Sequence, residues 1–146
     1  MAIATINPAT GETLKTFEPL TDLQTDQKIE LASETFPIFR ALGFAKRAAM
    51  MMKAAELLEA EKGSLARLMT TEMGKTYRSA VDEAVKCAWG CRYYAENAER
   101  FLADETIETP ASRCFVRYDP MGGILVVMPW NYPFWQAVRF IAPGLM

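Results

Sequence analysis

The side-chain amide of Asn131 stands where a short apolar run, Ile124–Met128, gives way to a pattern that predicts a helix beginning near Pro133. Enzymes with α/β folds build sites where a strand ends and a helix begins. In such a site the amide can donate a hydrogen bond to an oxygen that gains negative charge during reaction. Asn is also a common helix cap, in which its side chain is bonded to a backbone amide. The sequence alone leaves both interpretations open.

Arg139 is the only charged residue between Trp135 and Ile141, and it follows Asn131 by eight residues. This spacing corresponds to roughly 12 Å along a helix, so both side chains can face one tunnel if the helix lines it. A guanidinium group can bind a substrate carboxylate through two parallel hydrogen bonds. Alternatively, Arg139 extends its charged end into water. Trp135 belongs either to the core or to the wall of the tunnel.

The composition excludes several kinds of catalyst. The 146 residues contain no histidine, so the chain holds no Ser-His or Cys-His pair and no histidine-ligated metal, and no other metal cluster is visible. With 16 basic and 18 acidic residues the net charge is −2, which does not favour nucleic-acid binding. Three cysteines without CxxC spacing indicate reduced thiols in a cytoplasmic protein. Three prolines, Asn131 and Arg139 interrupt the apolar C-terminal segment, so we expect no membrane span.

Turn residues and apolar periodicity predict the elements that precede Asn131. Residues 5–18 are expected to form a polar hairpin. Four helices should follow, and Glu83 falls on the polar side of the fourth, opposite a stripe rich in alanine. The expected bounds are Thr21 or Thr25 to about Phe39, about Ala45 to Glu61, a short helix ending at Gly74, and about Val81 to Leu102.

Two strands are predicted after a polar linker at residues 104–112. Residues 113–118 alternate between apolar and polar types, which predicts a half-exposed strand. Ile124–Met128 is apolar throughout, as is typical of a strand buried on both faces of a parallel sheet. The fold class is therefore α/β, with N-terminal helices packed on the start of a parallel, Rossmann-like sheet. Because the strand that would complete this unit is missing, we expect the front portion of a larger enzyme.

Three ordered motifs resemble the aldehyde dehydrogenase superfamily, and the resemblance covers nearly the whole chain. They are Asn7–Glu12 (NPATGE), Glu72–Lys75 (EMGK), and Pro120–Ile124 (PMGGI) followed by Met128–Pro133 (MPWNYP). The last is highly specific, and the ordered set is more so. Taken by itself, the segment Glu72–Lys75 reads only as a helix end with flanking charges.

The resemblance implies oxidation of an aldehyde with NAD or NADP as cofactor. It implies that Asn131 is the side-chain donor of an oxyanion hole, and that Met128, Pro129, Trp130 and Asn131 lie along the cofactor. Arg139 resembles the succinate-semialdehyde dehydrogenase branch, where it would hold the far carboxylate of the substrate, with Trp135 beside it. The nucleophilic cysteine and the general base of the family find no match among the 146 residues, so we expect this chain alone to be inactive.

The resemblance also implies a domain organisation. Residues 1–112 would be the hairpin and helical part of the cofactor-binding domain, 113–119 an exposed oligomerisation strand, and 120–146 the first buried strand and helix start. The catalytic domain would be absent from the chain, and the full-length protein would be a homodimer or homotetramer. A competing hypothesis is a short non-enzymatic interaction module that binds a partner through its apolar C-terminal end.

Overall fold

The computed structural model describes residues 3–146, and an antiparallel hairpin opens the chain. Strand β1 (Ile3–Ile6) pairs with β2 (Thr13–Phe17). Asn7 shapes the turn, because its side-chain oxygen accepts a hydrogen bond from the Ala9 amide at 2.9 Å. The predicted hairpin is confirmed.

Four helices follow the hairpin, as predicted. The first begins with a capping box, in which the Thr21 hydroxyl accepts from the Gln24 amide and the Gln24 side chain accepts from the Thr21 amide. The third ends at Gly74, whose φ of 79° is the left-handed conformation expected of a C-terminal glycine. The helices are α1 (Asp22–Arg40), α2 (Phe44–Ala60), α3 (Lys62–Met73) and α4 (Tyr77–Phe101).

Helix α4 lies at the centre of the described chain and packs against α2, α3 and a fifth helix, α5 (Pro133–Leu145). Its buried face carries small side chains, which permit close approach of its neighbours. One apolar cluster joins α2, α4 and α5, and another joins α3 to α4 with Phe134 against it. The buried members of the two clusters are Met51, Ala55, Ala88, Cys91, Ala98, Ala142 and Met146, and Ala66, Met69 and Ala80.

The buried parallel strand predicted at residues 124–128 is absent from the structure. Leu125 and Val127 are 90% and 85% exposed, and within residues 3–146 no segment forms backbone hydrogen bonds with this run. A strand needs a neighbour to pair with, so an apolar run forms one only where such a neighbour lies beside it. The described residues are therefore mostly helical with small antiparallel sheets, and no parallel sheet is present among them.

The strand predicted at residues 113–118 is shorter than expected. Only Phe115–Val116 forms a strand, β4, and it pairs antiparallel with β3 (Glu105–Thr106). Strand β3 lies within the segment predicted as a polar linker, because strand pairing uses backbone groups that polar residues also carry. None of the helices within residues 3–146 combines the length and apolar character needed to cross a bilayer.

Candidate active site

Asn131 lies in the turn that leads into α5, with its side chain exposed. The cap of α5 is Tyr132, one residue later, and it makes no side-chain cap bond. Asn131 forms no hydrogen bond with any residue from 3 to 146, so the prediction that it caps the helix is wrong. Pro133 is the first helical residue, where its missing donor costs nothing. The amide of Asn131 is therefore free to bind another molecule.

The first amides of α5 are bound by a carboxylate from a different helix. Glu83 Oε1 accepts hydrogen bonds from the backbone of Phe134 at 3.0 Å and Trp135 at 2.9 Å. Glu83 is only 3% exposed, although it is charged. A negative charge at a helix N-terminus satisfies otherwise unpaired donors and complements the helix dipole. The N-terminus of α5 is thus capped by a residue of α4 and not by a residue that precedes it in the sequence.

The second oxygen of this carboxylate, Glu83 Oε2, forms an ion pair with Lys75. The side chains of Lys75 and Glu83 are 7% and 0% exposed, so each charge depends on the other for compensation. The ammonium group of Lys75 also lies 3.4 Å from the centroid of the Tyr132 ring, a cation–π contact. Lys75 therefore contacts both Glu83 and the residue that follows Asn131.

Sequence reasoning missed this pair. The sequence pattern places Glu83 on the polar side of α4 and Lys75 at a helix end with flanking charges. One signal was present: Glu83 follows Ala80 by three residues and precedes Cys87 by four, which is the spacing of the buried stripe. The acceptor role could not be predicted, because the partner amides are 51 and 52 residues away.

The structure connects the segments Asn7–Glu12, Glu72–Lys75 and Met128–Pro133 by a chain of contacts. A Cβ atom placed on Gly74 would lie 2.9 Å from Pro8 Cγ, so the hairpin turn packs directly on the end of α3. Lys75, the next residue, reaches Glu83 and Tyr132. The first motif thus supports the second, and the second supports the turn that carries Asn131.

Trp135 is half-buried, and one side of its ring packs on Gly90. Its ring lies 3.1 Å from the position that a Cβ atom on Gly90 would occupy. The Lys86 ammonium lies 4.3 Å from the ring centroid. Trp135 and Arg139 are four residues apart on α5 and so share a face. Whether the exposed part of the Trp135 ring meets a substrate stays a prediction.

Arg139 is exposed, and its side chain forms no ion pair or hydrogen bond within the described chain. Met128 and Trp130 are 38% and 59% exposed and, with Pro129, precede the turn. A concave surface at residues 104–115 lies beside β3 and β4 and contains none of these candidates. The candidates therefore lie outside this concave surface, before and along α5.

Cys87 and Cys91 do not supply a nucleophile to these candidates. Cys87 and Cys91 are buried. Burial raises the pKa of the Cys87 thiol to about 12, and the nearby Glu83 carboxylate adds to that effect. Burial also raises the pKa of Cys91. Because the thiolate is the reactive form, neither side chain is suited to attack a carbonyl.

The similarity to known proteins covers the whole chain. The sequence model of the aldehyde dehydrogenase family matches residues 1–146. The chain belongs to the aldehyde dehydrogenase family. It is 53% identical over its full length to a probable NADP⁺ succinate-semialdehyde dehydrogenase of Synechocystis sp.. It is 56% identical to succinate-semialdehyde dehydrogenase [NADP(+)] 1 of Mycobacterium tuberculosis, also over its full length.

Solved structures show the same fold. Succinic semialdehyde dehydrogenase from Streptococcus pyogenes, in complex with NADP⁺, superposes with a TM-score of 0.93 at 33% identity over 98% of this chain and 32% of that one. Succinate-semialdehyde dehydrogenase from Burkholderia pseudomallei gives a TM-score of 0.91 at 31% identity, over 99% of this chain and 30% of that one. The chain covers 32% of the Synechocystis protein and 33% of the mycobacterial one, so it spans about a third of their length.

Proposed function

We propose that these residues form the N-terminal portion of an NADP-dependent dehydrogenase that oxidises a carboxylated aldehyde, succinate semialdehyde, to its acid. The observation that carries the proposal is a free amide, Asn131, at the start of a helix in a chain so similar to such enzymes. The overall reaction converts one aldehyde, one water and one NADP⁺ into a carboxylate, NADPH and two protons. We propose NADP and not NAD as the cofactor because the names of the relatives given above include NADP⁺.

In this reaction Asn131 donates a hydrogen bond from its side-chain nitrogen to the carbonyl oxygen of the substrate. Attack on the carbonyl carbon turns this oxygen into an oxyanion, and a donor already in place stabilises it without reorganising. The exposed, unbonded side chain of Asn131 supports this role. The attacking thiolate would come from residues outside 1–146, because the thiols of Cys87 and Cys91 are buried and hold their protons, and Cys114 lies at the separate concave surface of residues 104–115.

Met128, Pro129 and Trp130 fit a position along the cofactor. All three are exposed, and their backbone groups form no hydrogen bonds with residues 3–146. They therefore offer apolar surface and free polar groups just before Asn131. When bound, the nicotinamide supplies a hydride acceptor. In the whole protein, residues 124–128 would pair in the parallel sheet that the described residues lack.

Arg139 and Trp135 would define the end of the substrate pocket. Arg139 forms no ion pair within the described chain, so its guanidinium is available to a substrate carboxylate. Trp135 shares its face of α5 and is held by Gly90 on one side. A substrate with an aldehyde at one end and a carboxylate at the other would then extend from Asn131 toward Arg139.

The full-length protein is proposed to be a homodimer or homotetramer. Within the described chain β4 has a single strand neighbour, β3, and the side chains of Phe115 and Val116 are exposed. An exposed strand edge is suited to pairing with another subunit. Analytical ultracentrifugation would test this proposal, and a monomer would contradict it.

The competing module that binds a partner through its apolar end draws on the same exposed run at residues 124–130. Similarity to enzymes over the whole of this chain favours the dehydrogenase. In addition, an interaction module has no need of a free amide and a free guanidinium at defined positions. The two functions differ in whether the protein reduces a cofactor.

The test uses the protein expressed from its native reading frame. Succinate semialdehyde and butanal, which has the same carbon count without the carboxylate, would each be assayed with NADP⁺ and NAD⁺. We expect reduction of NADP⁺ with succinate semialdehyde and a lower kcat/KM with butanal. No reduction of either cofactor would overturn the proposed function.

A further inference from the structure

We propose that Lys75 and Glu83 are positioning residues that hold the turn carrying Asn131 in the position that the proposed reaction requires. The inference rests on the proposed function, since it assigns the role of the pair through Asn131. Asn131 forms no hydrogen bond of its own with residues 3–146, so its position depends on the residues that flank it.

The first contact fixes the start of α5. The amides of Phe134 and Trp135 have no acceptor within their own helix turn, and Tyr132 supplies no cap. Glu83 Oε1 accepts both, at 3.0 and 2.9 Å. Two bonds to one oxygen fix the helix start relative to α4, three and four residues after Asn131.

The second contact fixes the turn itself. Lys75 pairs with the other oxygen of Glu83 and places its ammonium 3.4 Å from the Tyr132 ring centroid. Tyr132 is the residue next to Asn131, so the turn is held by the ammonium group of Lys75, whose side chain is itself nearly completely buried. Lys75 in turn follows Gly74, on which Pro8 packs. The chain of contacts leads from the hairpin to the proposed oxyanion donor.

A buried ion pair is weak evidence for stability, because removal from water offsets much of the attraction between the charges. This pair has a geometric consequence instead: both Glu83 oxygens are committed, one to α5 and one to Lys75. A displacement of about 1 Å at a reacting group can lower a rate by about a hundredfold. The pair should therefore affect kcat more than KM.

The test compares kcat and KM of Glu83→Ala, Glu83→Gln and Lys75→Met in the full-length enzyme, with Glu59→Ala as control. Glu59 pairs with Arg92 between α2 and α4 and forms no ion pair or side-chain hydrogen bond with α5 among the described residues, so its loss removes an interhelical carboxylate that does not hold the turn. We expect Glu83→Ala to lower kcat about ten- to a hundredfold. KM for aldehyde and for NADP⁺ should change less than about threefold. The control should keep the wild-type kcat.

Glu83→Gln keeps an acceptor oxygen for the two amides and loses the charge. Lys75→Met loses the partner and leaves the carboxylate unpaired. The double variant Lys75→Met with Glu83→Gln removes both charges and keeps the acceptor, so it should recover part of the kcat lost in Lys75→Met. A double variant no faster than Lys75→Met would overturn the inference. If Glu83→Ala does not fold, Glu83→Gln takes its place in the cycle that follows.

A double-mutant cycle with Asn131→Ala separates positioning from general stability. If Glu83 acts through Asn131, then Glu83→Ala should add less than about threefold to the loss caused by Asn131→Ala alone. Multiplicative losses would overturn the positioning role. If Asn131→Ala alone leaves kcat unchanged, the oxyanion role of Asn131 fails and the positioning role with it. If it lowers kcat while folded Glu83→Ala does not, only the positioning role fails.

Discussion

At the scale of single residues, burial and not residue type decides which groups can react. The side chains of Asn131 and Arg139 are exposed and form no hydrogen bond within the described chain, whereas Cys87 and Cys91 are buried. Residue type and spacing were enough to single out Asn131 and Arg139 as candidates. Burial of Glu83 was missed, because carboxylates are seldom buried without a partner and its partner was not recognisable in the sequence.

Arg139→Ala should raise KM for succinate semialdehyde by about ten- to a hundredfold, because a charge-assisted pair of hydrogen bonds to the carboxylate is lost. KM for butanal should change little, since that substrate has no carboxylate. Arg139→Lys keeps the charge without the planar fork, so its KM for succinate semialdehyde should fall between those of the wild-type enzyme and Arg139→Ala. Steady-state kinetics with both aldehydes provide the measurement, and equal effects on the two substrates would refute the assignment.

The raised pKa of Cys87 predicts a pH dependence of stability. The folded state holds the thiol proton up to a pKa of about 12, whereas the pKa of an unperturbed cysteine is 9.0. This contribution is therefore fully present below about pH 9 and is lost as the pH rises toward 12.

Urea unfolding across this alkaline range should show a free energy of unfolding that falls more steeply for the wild-type protein than for Cys87→Ala. The alanine variant loses packing at all pH values but has no thiol to titrate. Parallel slopes for the two proteins would contradict the buried, protonated thiol.

At the scale of elements, the start of helix α5 is held by a charge from another helix. Glu83 accepts hydrogen bonds from the amides of Phe134 and Trp135. The sign matches the helix dipole, which favours anions at the N-terminus. The helices were predictable because their apolar spacing is local. The tertiary cap and the pairing of β3 with β4 were not, because each depends on groups distant in sequence.

The contact between the hairpin and α3 can be tested with two glycines. Gly74 and Gly11 both have positive φ, 79° and 74°, but only Gly74 has Pro8 against it. Gly11→Ala should cost about 1 kcal/mol in free energy of unfolding from the strained backbone alone. Gly74→Ala should cost about 2–3 kcal/mol, since its new methyl group also meets Pro8.

Chemical denaturation of the two variants measures this difference. Adding Pro8→Ala to Gly74→Ala should remove much of the excess cost, because the crowded atom belongs to the proline ring. Equal costs at Gly11 and Gly74 would show that the hairpin does not press on the end of α3.

At the scale of the whole molecule, a chain of contacts leads from Pro8 in the hairpin through Gly74 and Lys75 to Tyr132, beside Asn131. The family, the α/β class and the helical N-terminal part were recognisable from sequence and are confirmed. A parallel sheet is not present within residues 3–146, because its would-be strand at 124–128 has no neighbour there. The chain spans about a third of its curated relatives, so the remainder of such an enzyme would supply the nucleophile and the pairing strands.

The most direct measurement is kcat of Asn131→Ala in the full-length enzyme, with succinate semialdehyde and NADP⁺. Loss of one oxyanion donor should lower kcat by about 10²–10³-fold. KM for NADP⁺ should stay within about threefold, and the circular dichroism spectrum should be unchanged, because the side chain forms no bond within residues 3–146. A folded Asn131→Ala enzyme with wild-type kcat would contradict the proposed role of this amide.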